Sequence, residues 1–136
     1  MTFPDATTIT SLQWWGLYRD LCGEPCQAGN DFVVAFYVNE SGPASTLVGT
    51  YALGASVQRS ATGHAIPLGG AFDEYQYDAS LNPPLSIEAG RRYWVEIQNN
   101  TPSPCLWRWE TAPKGTDGNG ASLFDADADG YGDSDL

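Results

Sequence analysis

The sequence predicts an all-β fold, a single β-sandwich of the jelly-roll-like kind with about seven to nine short antiparallel strands. Helical signals are nearly absent, because no long stretch keeps apolar residues at i, i+3, i+4 and i+7 without Gly, Pro or β-branched interruptions. Short segments rich in β-branched and aromatic residues recur, separated by turn signals about every 8 to 15 residues. The 136 residues are 42% apolar, which suffices for one core. We therefore expect one domain over residues 1–136.

Four strands are predicted in the N-terminal half. Residues 7–15 are rich in Thr, Ile and Trp, and Gly16 is expected to end that strand. Residues 32–38 place apolar side chains on both faces of the predicted strand, which is typical of a central strand. Two further strands are expected over 46–53 and 55–60.

The following region is predicted to be less regular. Residues 62–70 form a Gly- and Pro-containing loop that carries the only histidine, His64, at the surface. A looser segment over 75–81 is expected to end at the sequence Asn-Pro-Pro of residues 82–84.

The last strands are predicted over 85–89, 92–98 and 106–110. In the 92–98 strand, Tyr93, Val95 and Ile97 share one face, and the opposite face carries polar and aromatic residues. From residue 113 the chain is Gly- and Asp-rich, with too few apolar residues to build strands of its own except around Leu123, Phe124 and Leu136.

The composition narrows the range of partners. The formal net charge of -11 repels nucleic-acid phosphates and anionic membrane surfaces, so neither is an expected partner. No run of about 18 apolar residues exists, so we expect no membrane span.

The segment 125–136 has the pattern of a calcium loop. Ca²⁺ takes about six to eight oxygen ligands, and alternate acidic residues let a short loop supply them, with Gly130 permitting a sharp turn. Leu136 stands where an EF-hand has a bidentate Glu, and no flanking helices are predicted, so the loop resembles those of thrombospondin type 3 repeats and dockerins. The alternative is a solvated acidic segment. The expected ligands are the carboxylates of Asp125, Asp127, Asp129 and Asp133 and the backbone carbonyl of Tyr131.

Aromatic residues indicate a sugar-binding surface. The apolar faces of sugar rings stack on flat side chains, while their hydroxyls need fixed polar partners. The first candidate is Trp94 with Glu96 and Gln98, which share a strand face. The second is Arg108 flanked by Trp107 and Trp109. Core packing is the alternative for each of the tryptophans.

The three cysteines allow one disulfide. Cys22 and Cys26 frame a Gly-Glu-Pro turn, and Cys105 lies far along the chain. A bridge from either of the first two to Cys105 is expected, and we favour Cys26 with Cys105. Reduced thiols are the alternative, and the ligand spacing does not favour a zinc site.

We expect no enzyme. His64 has no serine or cysteine motif near it that would mark a nucleophile. The carboxylates of Asp73 with Glu74, or Glu88 with Glu96, would need an opposed geometry that a sequence does not establish.

Short motifs follow one another in a recognisable order along most of the chain. They are TIT and WWGLY at 8–10 and 14–18, NDF and FY at 30–32 and 36–37, AG and YWVEIQN at 89–90 and 93–99, and WRWE at 107–110. In this order the chain resembles the uncharacterised β-sandwich domains of bacterial secreted and surface proteins. The resemblance implies an extracellular or cell-surface setting.

Two functions remain open. The first is a non-catalytic extracellular module that binds a polysaccharide or cell-surface glycan and carries a structural Ca²⁺. The second is a structural or adhesive surface module, whose calcium loop rigidifies contacts between modules or subunits through self-association.

Overall fold

The computed structural model of the chain describes residues 3–20, 22–39, 46–67, 71–100 and 104–109. In these ranges the regular secondary structure is entirely β-strand, which confirms the all-β prediction. The described ranges contain seven strands, β1 (Thr7–Asp20), β2 (Phe32–Asn39), β3 (Thr46–Gly54), β4 (Gln58–Pro67), β5 (Ala71–Ile87), β6 (Arg92–Asn99) and β7 (Cys105–Trp109).

The strands form two antiparallel sheets. The four-stranded sheet has the order β4-β5-β1-β7, and the three-stranded sheet has the order β3-β2-β6. The strand predicted over 32–38 is β2, and its central position is confirmed because β3 and β6 pair with its two edges.

The two sheets face one another across an apolar core. The Phe32 ring of β2 makes edge-to-face contacts with Trp14 of β1 and Tyr77 of β5, at centroid distances of 5.4 and 5.0 Å. Trp107 of β7 makes a third such contact, at 5.2 Å. Burying a ring as completely as Phe32 contributes ~2 to 3 kcal/mol relative to leaving it exposed.

A second buried cluster is mainly aliphatic and lies beside the aromatic one. Residues of β2 alternate inward and meet apolar residues of β5 and β6. The cluster consists of Val34, Phe36, Val38, Leu81, Leu85, Ile87 and Tyr93. Val95 and Ile97 pack against it, so the inward face predicted for β6 is the one observed.

The expected end of β1 at Gly16 is wrong, because the strand continues to Asp20. A Cβ atom at Gly16 would lie 2.6 Å from Nε1 of Trp107 and 2.5 Å from the backbone oxygen of Arg108. Glycine is required here because the Trp107 indole crosses the strand, and not because the chain turns.

The loop predicted over 62–70 is also wrong, because residues 62–67 belong to β4. Pairing with β5 is interrupted between Ala61 and Ala65, where Gly63 has a positive φ of 81°. His64 is exposed, as expected, but lies in this irregular part of a strand. A β-bulge of this kind places a Gly inside a strand. The local sequence then looks like that of a loop, and this is why the loop prediction fails here.

The looser segment over 75–81 is part of β5, which continues through Pro83 and Pro84 to Ile87. Both prolines are exposed and lie where the pairing of β5 with β1 shifts register, between Ile9 and Ser11. Proline is tolerated at such a shift because the strand donates no ladder hydrogen bond there.

A disulfide joins Cys26 and Cys105, the pair that the sequence favoured, with a Cα–Cα distance of 5.8 Å. It links the segment before β2 to the start of β7, across 79 positions of sequence. Closing a loop of this length stabilises the fold by roughly 4.5 kcal/mol in the chain-entropy model. Cys22 is a free, exposed thiol.

Within the described ranges, no helix is long and apolar enough to cross a membrane.

Candidate ligand-binding faces

The first predicted group lies together on the outer face of the three-stranded sheet. Trp94, Glu96 and Gln98 alternate with the inward residues of β6, and each is half-buried. The indole N–H of Trp94 is buried and has no hydrogen-bond partner. The ring is therefore partly set into the surface, with only a fraction of it available to a ligand.

One row of outward residues crosses this sheet from β6 through β2 to β3. Trp94 is the register partner of Tyr37, and Tyr37 is the partner of Leu47. Leu47 is 54% exposed. Since adjacent strands are about 4.8 Å apart, this row forms an apolar stripe about 10 Å across. We call the group Leu47, Tyr37, Trp94, Glu96 and Gln98 the Trp94 face.

Hydrogen bonds fix the polar part of the Trp94 face. The Tyr37 hydroxyl donates to Oε2 of Glu96 at 2.6 Å, and Nε2 of Gln98 donates to Oε1 at 2.7 Å. The hydrogen bond to Glu96, followed by burial, raises the pKa of Tyr37 to about 12. Both carboxylate oxygens of Glu96 are thus held in place, and each retains a lone pair for a further donor.

The second predicted group is not one site. Trp107 points inward and packs on Phe32 and Tyr77. Arg108 lies on the opposite face of β7, where burial and then the charge of Arg19 lower its pKa. Trp109 is 40% exposed at the end of the strand. These three side chains also belong to the other sheet from Trp94, so the six predicted residues do not converge.

Sequence reasoning missed a polar patch on the outer face of the four-stranded sheet, where two rows cross β1, β5 and β4. Trp15, which is 38% exposed, is the register partner of Gln76, and Gln13 is the partner of Asp78. The alternation of residues 75–78, aromatic and then polar, was the available signal. The patch consists of Trp15, Gln76, Ser60, Gln13, Asp78 and Gln58, and we call it the Trp15 face.

Two of the four acidic residues named as possible catalytic groups, Glu96 and Glu88, have other contacts. Glu96 accepts the two hydrogen bonds of the Trp94 face, and Glu88 forms an ion pair with Arg91 at 2.9 Å.

The predicted calcium ligands, Asp125, Asp127, Asp129, Tyr131 and Asp133, lie outside the described residues, as does the whole segment 110–136. Among the described residues, no group of three or more His, Cys, Asp or Glu side chains is placed to hold a metal ion.

Comparison with known proteins gives no relative, since no family model, no curated protein and no solved structure matches the chain significantly.

Proposed function

We propose that the chain is a non-catalytic extracellular module that binds a neutral polysaccharide through the Trp94 face. One observation carries the proposal: an aromatic stripe of Tyr37 and Trp94 lies directly beside a carboxylate and an amide whose positions are fixed by hydrogen bonds. A flat stripe of this kind offers stacking area to sugar rings, and the adjacent polar atoms offer partners to their hydroxyls.

Charge supports an uncharged ligand. The chain carries a net charge of -11, and Glu96 is the charged group of the Trp94 face. An anionic polysaccharide would be repelled, whereas sugar hydroxyls can donate to the free lone pairs of Glu96.

The extracellular setting is supported by the Cys26–Cys105 disulfide, because disulfides persist mainly in oxidising compartments. We include in the proposal a structural Ca²⁺ held by the loop 125–136. The resemblance to secreted bacterial surface domains and the jelly-roll-like form of the β-sandwich remain predictions.

The test is binding to a panel of immobilised neutral polysaccharides, comprising cellulose, chitin, xylan and galactomannan. Removing a central aromatic anchor costs ~2 kcal/mol, so Trp94→Ala should weaken binding about thirtyfold. Glu96→Gln should weaken it less, because the shape of the side chain is kept. His64→Ala, at an exposed position of β4, is the control and should bind as the parent chain does.

Exposed apolar residues favour a second function, that of a structural or adhesive module. Leu47 and Val48, at 54% and 41% exposure, lie on β3, which is an edge strand. Exposed edges are templates for pairing with another chain. Failure to bind any glycan, together with calcium-dependent self-association that Val48→Asp abolishes, would favour this function over the first.

A further inference from the structure

The Trp15 face is a second surface with the chemistry of a sugar platform. Its two rows each cross three strands, Trp15–Gln76–Ser60 and Gln13–Asp78–Gln58. One end presents an exposed indole, and the remainder presents amides, a hydroxyl and one carboxylate.

Its polar groups are held in position before any ligand binds. Nε2 of Gln13 donates to Oδ1 of Asp78 at 2.8 Å, and Nε2 of Gln76 donates to Oδ2 at 2.9 Å. These bonds, that from Gln76 first, hold the pKa of Asp78 below its ordinary value of 3.8. The carboxylate is therefore ionised at neutral pH and is an acceptor that two amides orient.

The backbone beneath the Trp15 face is rigidly supported. Trp14 and Tyr77 alternate with Trp15 and Asp78 along their strands and point into the core, where their rings stack at 5.7 Å with an interplanar angle of 10°. A platform fixed in this way loses little conformational entropy when a ligand binds.

The composition of the Trp15 face matches a neutral, hydroxyl-rich ligand. None of its six residues is basic, and ionised Asp78 repels an anion. Arg108 lies on the same side of this sheet, but on β7, across β1 from β5 and β4. A cationic protein partner would meet a single carboxylate that amides already occupy. Sugar hydroxyls both donate and accept, as do the amides and the hydroxyl of this face.

We propose that the Trp15 face is a second polysaccharide-binding surface, so that the module binds two chains of neutral polysaccharide at once and cross-links them. The inference rests on the proposed function of the Trp94 face. The two faces point in opposite directions, because each lies on the outer side of its sheet and the inner sides meet at Phe32. Packed sheets are about 10 Å apart, so the core is a short rigid spacer between the bound chains.

Cross-linking is tested by turbidity in solutions of soluble galactomannan, xyloglucan and mixed-linkage β-glucan. Sedimentation first checks that the parent chain is monomeric. A monomeric parent chain should raise the turbidity of a polysaccharide solution that it binds. Trp15→Ala and Trp94→Ala should each abolish cross-linking while retaining binding to the immobilised polysaccharide, weakened about tenfold or more by loss of avidity. The double variant should lose both. Trp15→Tyr, which keeps a flat ring, should retain cross-linking, and His64→Ala should match the parent.

Three outcomes would overturn the inference, and they separate it from the proposed function. If Trp15→Ala cross-links normally, and near-ultraviolet circular dichroism shows that it is folded, the Trp15 face is not a binding surface. The proposed function of the Trp94 face is unaffected by that result. If Trp15→Ala loses all binding and Trp94→Ala binds normally, the module has one polysaccharide-binding surface. That surface is then on the four-stranded sheet and not on the Trp94 face. A parent chain that dimerises without polysaccharide, and a Trp15→Ala variant that does not, would make the Trp15 face a protein interface.

Discussion

Gly16 occupies a position in β1 where a side chain would collide with the Trp107 indole. Tyr37 lies beside the carboxylate of Glu96, which raises the pKa of the tyrosine hydroxyl. Both effects arise from residues distant in sequence, Trp107 and Glu96. Local pattern places Gly16 in a β-rich segment and Tyr37 on the face opposite Phe36, but it does not show what either residue touches.

Gly16→Ala should destabilise the protein by about 1 to 3 kcal/mol, because the added methyl overlaps the Trp107 ring and the backbone of β7. Urea unfolding measures the change. Gly29→Ala is the matched control, since a Cβ atom at Gly29 meets nothing within 4 Å. Equal midpoints for the two variants would show that the indole moves aside without cost.

Tyr37 should ionise about two units above an ordinary tyrosine, near pH 12. The neutral hydroxyl is favoured by the folded state, so its contribution to stability is fully present below pH 10 and is lost as the pH rises through 12. Ultraviolet titration of the phenolate should show this late step, and Tyr37→Phe should remove it. Glu96→Gln should move it to lower pH, and an unchanged titration in that variant would contradict the assignment to Glu96.

At the scale of elements, alternation predicts strands well where both faces have a clear character. The inward face of β6 is the one that the sequence predicts, because apolar residues recur there at every second position. In β2 every position from Phe32 to Val38 is apolar, so the sequence predicts a central strand but not which face turns inward. The predicted loop over 62–70 and the predicted end of the segment at residues 82–84 are wrong, because β4 and β5 contain Gly and Pro at irregularities in their pairing. The pairing of Trp15 with Gln76 depends on the register of β1 against β5, which no local pattern sets, and this is why the Trp15 face was missed.

The anchoring of β7 depends on Cys105. Replacing Cys26 and Cys105 together by Ser should cost about 2 to 5 kcal/mol of unfolding free energy, because the unfolded chain gains the freedom of the opened loop. Chemical denaturation of the double variant measures this. Cys22→Ser, which removes only the free thiol, should unfold like the parent, and a comparable loss in it would contradict the assigned pairing.

At the scale of the whole molecule, the excess of acidic residues and the aspartate-rich segment 125–136 are evident from sequence alone. The net charge of -11 also predicts that nucleic acid is not a partner, and this stays a prediction. The sequence does not predict the division of the strands between two sheets or the residues on each outer face, because both depend on which distant strands pair.

If Ca²⁺ occupies the loop 125–136, excess chelator should lower the melting temperature. An ion present at about 100 times its Kd contributes ~2.7 kcal/mol, which corresponds to roughly 8 °C for a domain of this size. Differential scanning calorimetry with and without chelator measures the shift. The double variant Asp125→Asn with Asp127→Asn should melt at the lower temperature with and without chelator. An unchanged melting temperature of the parent chain in excess chelator would show that no structural Ca²⁺ is bound.

The Cys26–Cys105 bond also determines how the module responds to a pulling force along its chain. A covalent link across 79 positions shields the segment between the cysteines from extension, at roughly 3.5 Å per residue. The oxidised chain is therefore shorter when fully stretched, by roughly 280 Å, than the reduced chain. Strands β2 to β6, including the whole three-stranded sheet, lie inside the shielded segment. A surface module that bears load in an oxidising medium would keep the Trp94 face on a chain segment that tension cannot draw out.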